Sequence, residues 1–142
     1  YIEKYFTRYP KVKAFMEENV AKAKATGYAI TKLGRIRRIS EISSSKYITR
    51  TFGERVAMNM PLQGTASDII KLAMISVDKR LKEEGLQSKM VLQIHDELVF
   101  DAVVSEVERL EEIIREEMEN IVQLSIPLTV ECNHGNNWLE AH

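Results

Sequence analysis

Two apolar runs separated by only three polar residues place the strongest constraint on how this chain folds. The stretch reads MVLQIHDELVF, from Met90 to Phe100, with His95, Asp96 and Glu97 between the runs. Short apolar runs of this kind predict two buried strands joined by a tight turn. Tight hairpin turns favour Asn-Gly or another glycine pair, and this turn has none. An imidazole and two carboxylates therefore stand where turn chemistry favours other residues, which indicates a functional site.

The rest of the chain predicts helices and a second, smaller hairpin. Apolar residues at helical spacing predict two helices before Gly27, and a basic hairpin follows from Tyr28 to Ile39. Proline cannot continue a helix without strain, so we expect a helix over 52–59 to end at Pro61 and another to begin with Thr65 as its cap. Further segments predict a helix over 105–122 and a final strand over 126–132.

These elements predict an α+β fold, in which a small antiparallel sheet packs against long helices. The sheet consists of the His95 hairpin and the final strand, and two amphipathic helices cover it. An N-terminal portion of helices and a hairpin precedes it.

Composition narrows the class of protein. The chain has 142 residues, of which 44% are hydrophobic and 29% charged, as in one globular domain. No run approaches the roughly 20 apolar residues that span a bilayer, so no membrane partner is expected. A single cysteine, Cys132, excludes a disulfide framework and is typical of a reducing compartment. Because the chain begins at Tyr1 within a helix-like segment, we expect it to be part of a longer protein.

Charge is unevenly distributed along the chain. Residues 1–55 contain 13 Lys and Arg against 5 Asp and Glu, whereas residues 56–142 contain 7 against 16. A basic half is suited to a polyanion such as nucleic acid, and an acidic half to metal ions. An unevenly charged but merely solvated surface would give the same count.

The two carboxylates of the turn have the chemistry of a metal site. Mg²⁺ prefers oxygen ligands held in a rigid geometry, and two buried strands would supply that rigidity to Asp96 and Glu97. Two such carboxylates with a third from elsewhere can hold a pair of ions that clamp the oxygens of a phosphoryl transfer. A solvated turn is the alternative interpretation.

Arg55, Asn59 and Gln63 recur every four residues and would share one helical face if Pro61 bends the chain without reversing it. Amides can donate to the acceptors that every base pair presents in the minor groove, and arginine binds phosphate, so this face could grip a duplex without reading its sequence. Alternatively, Asn59 only caps a helix and Gln63 only turns the chain. For Arg35, Arg37 and Arg38, phosphate binding and simple solvation both remain open.

Several segments resemble family A DNA polymerases, and bacterial ones most of all. They are, in chain order, YIEKYFTRYPKVKAFM, GRIRR, ERVAMNMPLQGTASDIIKLAMI, QIHDELVF and IPLTVECNHGNNW. The resemblance covers essentially the whole chain, and it implies that 1–50 belongs to the fingers and 51–142 to the palm. It makes the His-Asp-Glu turn motif C of a DNA-directed DNA polymerase that acts in replication and repair.

The resemblance also implies roles and partners. Asp96 would bind two catalytic Mg²⁺ ions, Glu97 would stand beside them, and His95 would lie against the primer terminus. The matching Arg55, Asn59 and Gln63 would contact primer-template DNA. Deoxynucleoside triphosphates and the rest of the polymerase chain would be further partners, in the bacterial cytoplasm at the nucleoid.

Two parts of that family's machinery do not occur in the sequence. The Asp-Tyr-Ser strand of motif A and the fingers helix that closes over the triphosphate lie nowhere between Tyr1 and His142. We therefore expect the parent protein to be a polymerase and the chain alone to be inert. A non-catalytic nucleic-acid-binding module is the main rival. A metal-dependent phosphohydrolase is weaker, because its further histidines are missing: the chain has only His95, His134 and His142.

Overall fold

The computed structural model describes residues 1–141, which form five α-helices, two antiparallel hairpins and two short 3-10 turns. The helices are α1 (Ile2–Arg8), α2 (Pro10–Thr26), α3 (Tyr47–Glu83), α4 (Val107–Glu119) and α5 (Trp138–Ala141). The strands are β1 (Tyr28–Ile30), β2 (Ile36–Arg38), β3 (Lys89–Ile94) and β4 (Glu97–Asp101), and the 3-10 turns are Ser40–Ser43 and Val104–Glu106. Mixed helices and small antiparallel sheets confirm the predicted α+β class. No described helix contains an apolar stretch that could span a bilayer.

The chain forms two compact units, and Tyr1–Ala66 is the first. Gly27 ends α2 in the left-handed conformation, as predicted, and the basic hairpin pairs Ala29 with Arg37. A core of small and medium side chains holds α2, this hairpin, the first 3-10 turn and the first half of α3 together. Its buried members are Ala23, Ala29, Ile39, Ile42, Ala57 and Met60.

The second unit begins at Ser67 and contains the His95 hairpin. Its core joins the end of α3 to α4, and its buried members are Val77, Leu81, Leu110, Ile113 and Ile114. Met90 and Phe100, which face each other across the hairpin, pack against this core. The hairpin therefore rests on two amphipathic helices, as the sequence predicted.

Helix α3 corrects one sequence prediction, because Pro61 lies inside a continuous helix of 37 residues. A proline there removes one backbone hydrogen bond and costs about 3 kcal/mol in a helix interior. Packing offsets that cost, since Ala57 and Met60 just before the proline are buried in the first core. Thr65 is likewise not a helix cap: its hydroxyl donates to the Pro61 carbonyl one turn earlier.

The predicted final strand over 126–132 is also wrong, since these residues have no strand pairing among residues 1–141. The alternation was nevertheless right: Leu128, Val130 and Cys132 are half-buried while Thr129 and Glu131 are exposed. The backbone N–H of Val130 donates to the Glu119 carboxylate instead of to a neighbouring strand. An alternating pattern of apolar and polar residues shows that one face of a segment is packed. A β-strand also needs a neighbouring strand that forms hydrogen bonds with it. The predicted third strand of the sheet is therefore absent from the described residues.

A network of ion pairs ties the end of α3 to α4. Arg109 grips both oxygens of Glu84, at 2.7 and 2.6 Å, and Arg80 donates to Glu84 at 2.6 Å and to Glu117 at 2.9 Å. The hydrogen bonds from Arg109 and Arg80 lower the pKa of Glu84 to about 2. Hydrogen bonds from the Gln87 and Ser88 backbone and the Ser88 hydroxyl lower the pKa of Glu106 as well. Much of the acidic charge in this unit is thus structural.

Replacing Gly53 by alanine is expected to destabilise the first unit by about 1–3 kcal/mol. A Cβ built on Gly53 would lie 2.7 Å from the backbone nitrogen of Ile42, so the helix and the 3-10 turn would have to separate. That cost exceeds the gain of about 1 kcal/mol that alanine normally brings to a helix interior. Urea unfolding measures the difference. The exposed Ala66→Gly on the same helix is the control, with a loss of about 1 kcal/mol from propensity alone. A Gly53→Ala protein more stable than wild type would contradict the close approach.

Replacing Glu84 by glutamine is expected to flatten the acid dependence of stability. The Glu84 pKa is about 2 in the folded chain against an ordinary value of 4.5, so its ion pairs stabilise the fold above pH 4.5 and are lost as pH falls toward 2. Urea midpoints between pH 5 and pH 2 should fall less steeply in the variant. Glu83→Gln is the matched control, because that carboxylate pairs with Lys79 on its own helix, at 3.6 Å, and with no other cation in residues 1–141. Parallel curves for wild type and Glu84→Gln would refute this role.

Candidate functional site

The polar turn of the second hairpin consists of His95 and Asp96, because Ile94 and Glu97 form the last cross-strand pair. His95 has φ of 52°, and it is the only described residue other than glycine with a positive φ. For a side chain with a Cβ this conformation costs about 1–2 kcal/mol. The side-chain amide of Gln93 donates to the His95 carbonyl at 2.6 Å and so braces the turn. Gln93 was not singled out from the sequence, because nothing in the pattern revealed that the turn is strained.

The hairpin is less buried than its apolar sequence predicted. No residue from Lys89 to Asp101 is fully buried, and Val91 and Leu92 are 56% and 47% exposed. Val91 is an extra residue: Met90 pairs with Phe100 and Leu92 with Val99, which forms a bulge. The core accepts only one face of the hairpin, which includes Met90 and Phe100. The sequence could not reveal this, because a continuous apolar run gives no information about which face is covered.

Asp96 and Glu97 are exposed at the tip of this half-buried hairpin. Neighbouring carboxylates supply hard oxygen ligands, which Mg²⁺ prefers. Within residues 1–141, no three His, Cys, Asp or Glu side chains gather closely enough to hold a metal ion. The turn therefore offers two adjacent carboxylates and no third ligand from the described part of the chain. Cys132 and His134 lie outside the helices and strands, and His134 contacts Glu111 at 3.0 Å.

The first unit brings together the other predicted residues. Because α3 continues through Pro61, Arg55, Asn59 and Gln63 share one helical face, and all three side chains are exposed. They line a groove of about 350 Å³, together with Phe52, Val56, Met60 and Arg37. Arg37 comes from β2, so the groove is built by two separate elements. Spacing alone predicted the helical face, but not the strand beside it.

The three hairpin arginines have different surroundings. Arg37 pairs in register with Ala29, which is buried, so it lies on the face of the hairpin that turns toward the core and reaches the groove. Arg38 instead lies over the Tyr28 ring, 6.0 Å from its centre. Arg35 donates to the Gly64 carbonyl at 2.9 Å. Within residues 1–141, neither Arg37 nor Arg55 has an ion-pair partner.

Known proteins resemble this chain in sequence and in structure. The sequence profile of DNA polymerase family A matches residues 1–140. DNA polymerase I of Caldicellulosiruptor bescii is 48% identical over 140 residues, and that of Bacillus caldotenax is 48% identical over 141 residues. Each alignment covers 99% of this chain. A solved structure described as the POL domain of Pol1 from M. smegmatis, in complex with DNA primer-template and dNTP, shares 43% identity, with a TM-score of 0.96 over 99% of this chain.

The chain therefore belongs to DNA polymerase family A, which confirms the resemblance found in the sequence. Both curated relatives named above are DNA polymerase I. The chain spans 16% of the length of each and 25% of the solved M. smegmatis chain.

Replacing His95 by asparagine or by valine should separate the strain in the turn from the loss of the imidazole. Both changes remove the ring, but asparagine tolerates the left-handed conformation whereas the β-branched valine does not. We expect the asparagine variant to stay within about 0.5 kcal/mol of wild type and the valine variant to lose about 1–2 kcal/mol. Urea unfolding of the three proteins measures this. Equal losses in the two variants would show that the backbone at this position is not left-handed.

Proposed function

We propose that the chain is the C-terminal part of a DNA-directed DNA polymerase, which adds nucleotides to a primer under the direction of a template. The observation that carries the proposal is the His95-Asp96-Glu97 turn at the tip of a hairpin, in a chain that belongs to family A. We assign residues 1–50 to the fingers and 51–142 to the palm. Bacterial relatives support a place in the cytoplasm, at the nucleoid.

The donor set of the turn fits Mg²⁺. Both carboxylates are exposed, adjacent and made of hard oxygens, and the bond from Gln93 to the His95 carbonyl limits how far the turn can move. Asp96 would hold the two ions and Glu97 would stand beside them. Divalent ions held there supply the positive charge that stabilises the attacking and leaving oxygens of a phosphoryl transfer. His95 would lie against the primer terminus.

The groove in the first unit is suited to a duplex. The Asn59 and Gln63 amides can donate to minor-groove acceptors that all base pairs share, so contact does not depend on sequence. The Arg55 guanidinium carries a positive charge without an ion-pair partner within the described residues, which suits a phosphate. Arg37 lines the same groove and also has no ion-pair partner within the described residues, so we propose that it binds phosphate as well. Primer-template DNA is the proposed partner.

The chain alone is proposed to be inert. The sequence has neither the motif A aspartate nor the fingers helix that would bind a deoxynucleoside triphosphate. Two carboxylates without a third ligand make a weak ion site. The remainder of the polymerase chain is thus a required partner. Template-directed incorporation by the purified 142-residue chain would overturn this part of the proposal.

A non-catalytic nucleic-acid-binding module is the second candidate. Arg37 and Arg55 of the groove favour it, because neither has an ion-pair partner in the described part of the chain. In that case DNA binding would depend on salt and on the groove residues, while Mg²⁺ would leave the turn unaffected. Titration of the chain with Mg²⁺, followed by NMR, separates the two candidates. Selective shifts at Asp96 and Glu97 support the polymerase, and their absence together with DNA binding supports the module.

Replacing Asp96 by alanine in the polypeptide that carries this chain with the rest of the polymerase should abolish synthesis. Loss of an ion ligand removes several kcal/mol of transition-state stabilisation, so we expect primer extension to slow by at least about 100-fold. Asp101→Ala is the control: it removes a carboxylate from the strand that follows the turn, at the end far from the turn, and should change the rate by less than about twofold. Undiminished synthesis by a folded Asp96→Ala enzyme would refute the proposed function.

A further inference from the structure

The turn of α3 that carries Gln63 is the part of this helix least able to hold its own shape. Pro61 lacks an N–H, so it cannot donate the backbone hydrogen bond that the Ala57 carbonyl would otherwise accept. The proline ring also crowds that carbonyl. Kinks in helices usually occur at such positions. Asn59 lies before the proline and Gln63 after it, so the direction in which Gln63 points depends on what holds the turn after Pro61.

Side-chain hydrogen bonds hold that turn, and two of them come from the basic hairpin. The Arg35 guanidinium donates to the Gly64 carbonyl at 2.9 Å. The Thr65 hydroxyl donates to the Pro61 carbonyl and accepts the backbone N–H of Lys32 at 2.9 Å. Two carbonyls of the weakened turn are thus connected to the loop between β1 and β2.

Close packing accompanies these bonds. A Cβ on Gly64 would lie 2.6 Å from the Thr31 methyl group, so only glycine allows the loop to approach this closely. Thr31 is 4% exposed, and its hydroxyl accepts the Arg35 N–H at 3.0 Å. Because Thr31 is buried and hydrogen-bonded, the loop cannot easily withdraw from the helix.

We propose that Arg35 and Thr65 are positioning residues that fix the turn of α3 after Pro61, so that Gln63 faces the groove. This inference rests on the proposed contact between Gln63 and duplex DNA. It gives Arg35 a different task from its neighbour Arg37: Arg37 lines the groove, whereas Arg35 acts through the Gly64 carbonyl and does not touch DNA.

A double-mutant cycle tests the proposal. Affinity for a primer-template duplex is measured for wild type, Arg35→Ala, Gln63→Ala and the double variant, each in the polypeptide that carries this chain with the rest of the polymerase. In the wild-type background, Gln63→Ala should weaken binding about fivefold, the size of one hydrogen bond to the duplex. In the Arg35→Ala background, it should cost less than about twofold, because Gln63 is already misdirected.

The salt dependence of binding distinguishes positioning from a direct contact. Arg35→Ala should leave the slope of log affinity against log salt unchanged, whereas loss of a phosphate contact lowers its magnitude by about one. Arg38→Ala removes the same charge from the same hairpin, outside the groove, and should leave the cost of Gln63→Ala at fivefold. A slope reduced by Arg35→Ala, or equal costs of Gln63→Ala in both backgrounds, would overturn the inference.

Thr65 provides an independent variant if Arg35→Ala does not fold. Thr65→Val keeps the shape of the side chain but removes both hydrogen bonds, so it should lower the cost of Gln63→Ala as Arg35→Ala does. Thr65→Ser keeps the hydroxyl and should restore the full cost. A Thr65→Val protein that retains the fivefold cost refutes the inference. If Gln63→Ala has no effect even in the wild-type background, the proposed contact between Gln63 and DNA is refuted. If Gln63→Ala weakens binding equally with and without Arg35, that contact stands and only the positioning role is refuted.

Discussion

The continuity of α3 through Pro61 is the constraint on which the rest of the structure depends. Ala57 and Met60 of this helix are buried in the first core, and Val77 and Leu81 are buried in the second. One continuous helix therefore supplies buried residues to both cores. The same continuity puts Arg55, Asn59 and Gln63 on one face. An intrinsic cost of about 3 kcal/mol at one position is small beside the burial of several apolar side chains.

The charged residues of this chain have two separate roles, and the net charge does not distinguish them. In the acidic unit, Glu84 and Glu117 are bonded to arginines that hold α3 and α4 together, so the excess of carboxylates says little about metal binding. Asp96 and Glu97 lie at the exposed tip of the hairpin. In the basic unit, Arg35 bonds the backbone while Arg37 and Arg55 line the groove. A count of charges could not separate these uses, because pairing depends on neighbours far along the chain.

Each candidate site contains a residue that its local backbone conformation does not favour. His95 adopts a conformation that suits glycine, and α3 carries a proline in its interior. In each case a side-chain hydrogen bond supports the unfavourable segment: Gln93 bonds the His95 carbonyl, and Arg35 bonds the Gly64 carbonyl. Positions where local rules are broken are expected at functional sites, where the supporting contacts compensate for the strain.

The sequence by itself determined the class of fold, the helices around Ala23 and Leu110, the two hairpins, and the membership of the chain in its family, because these depend on local periodicity and on residue order. It also identified the turn at Asp96 and the helical face of Asn59. Only the tertiary structure decided that Pro61 continues a helix, that 126–132 forms no ladder, and that Arg37 joins the groove while Arg35 does not. Those outcomes depend on contacts between residues far apart in the sequence: the packing around Pro61, the hydrogen-bond partners of the 126–132 backbone, and the surroundings of each arginine. A local sequence pattern does not contain that information.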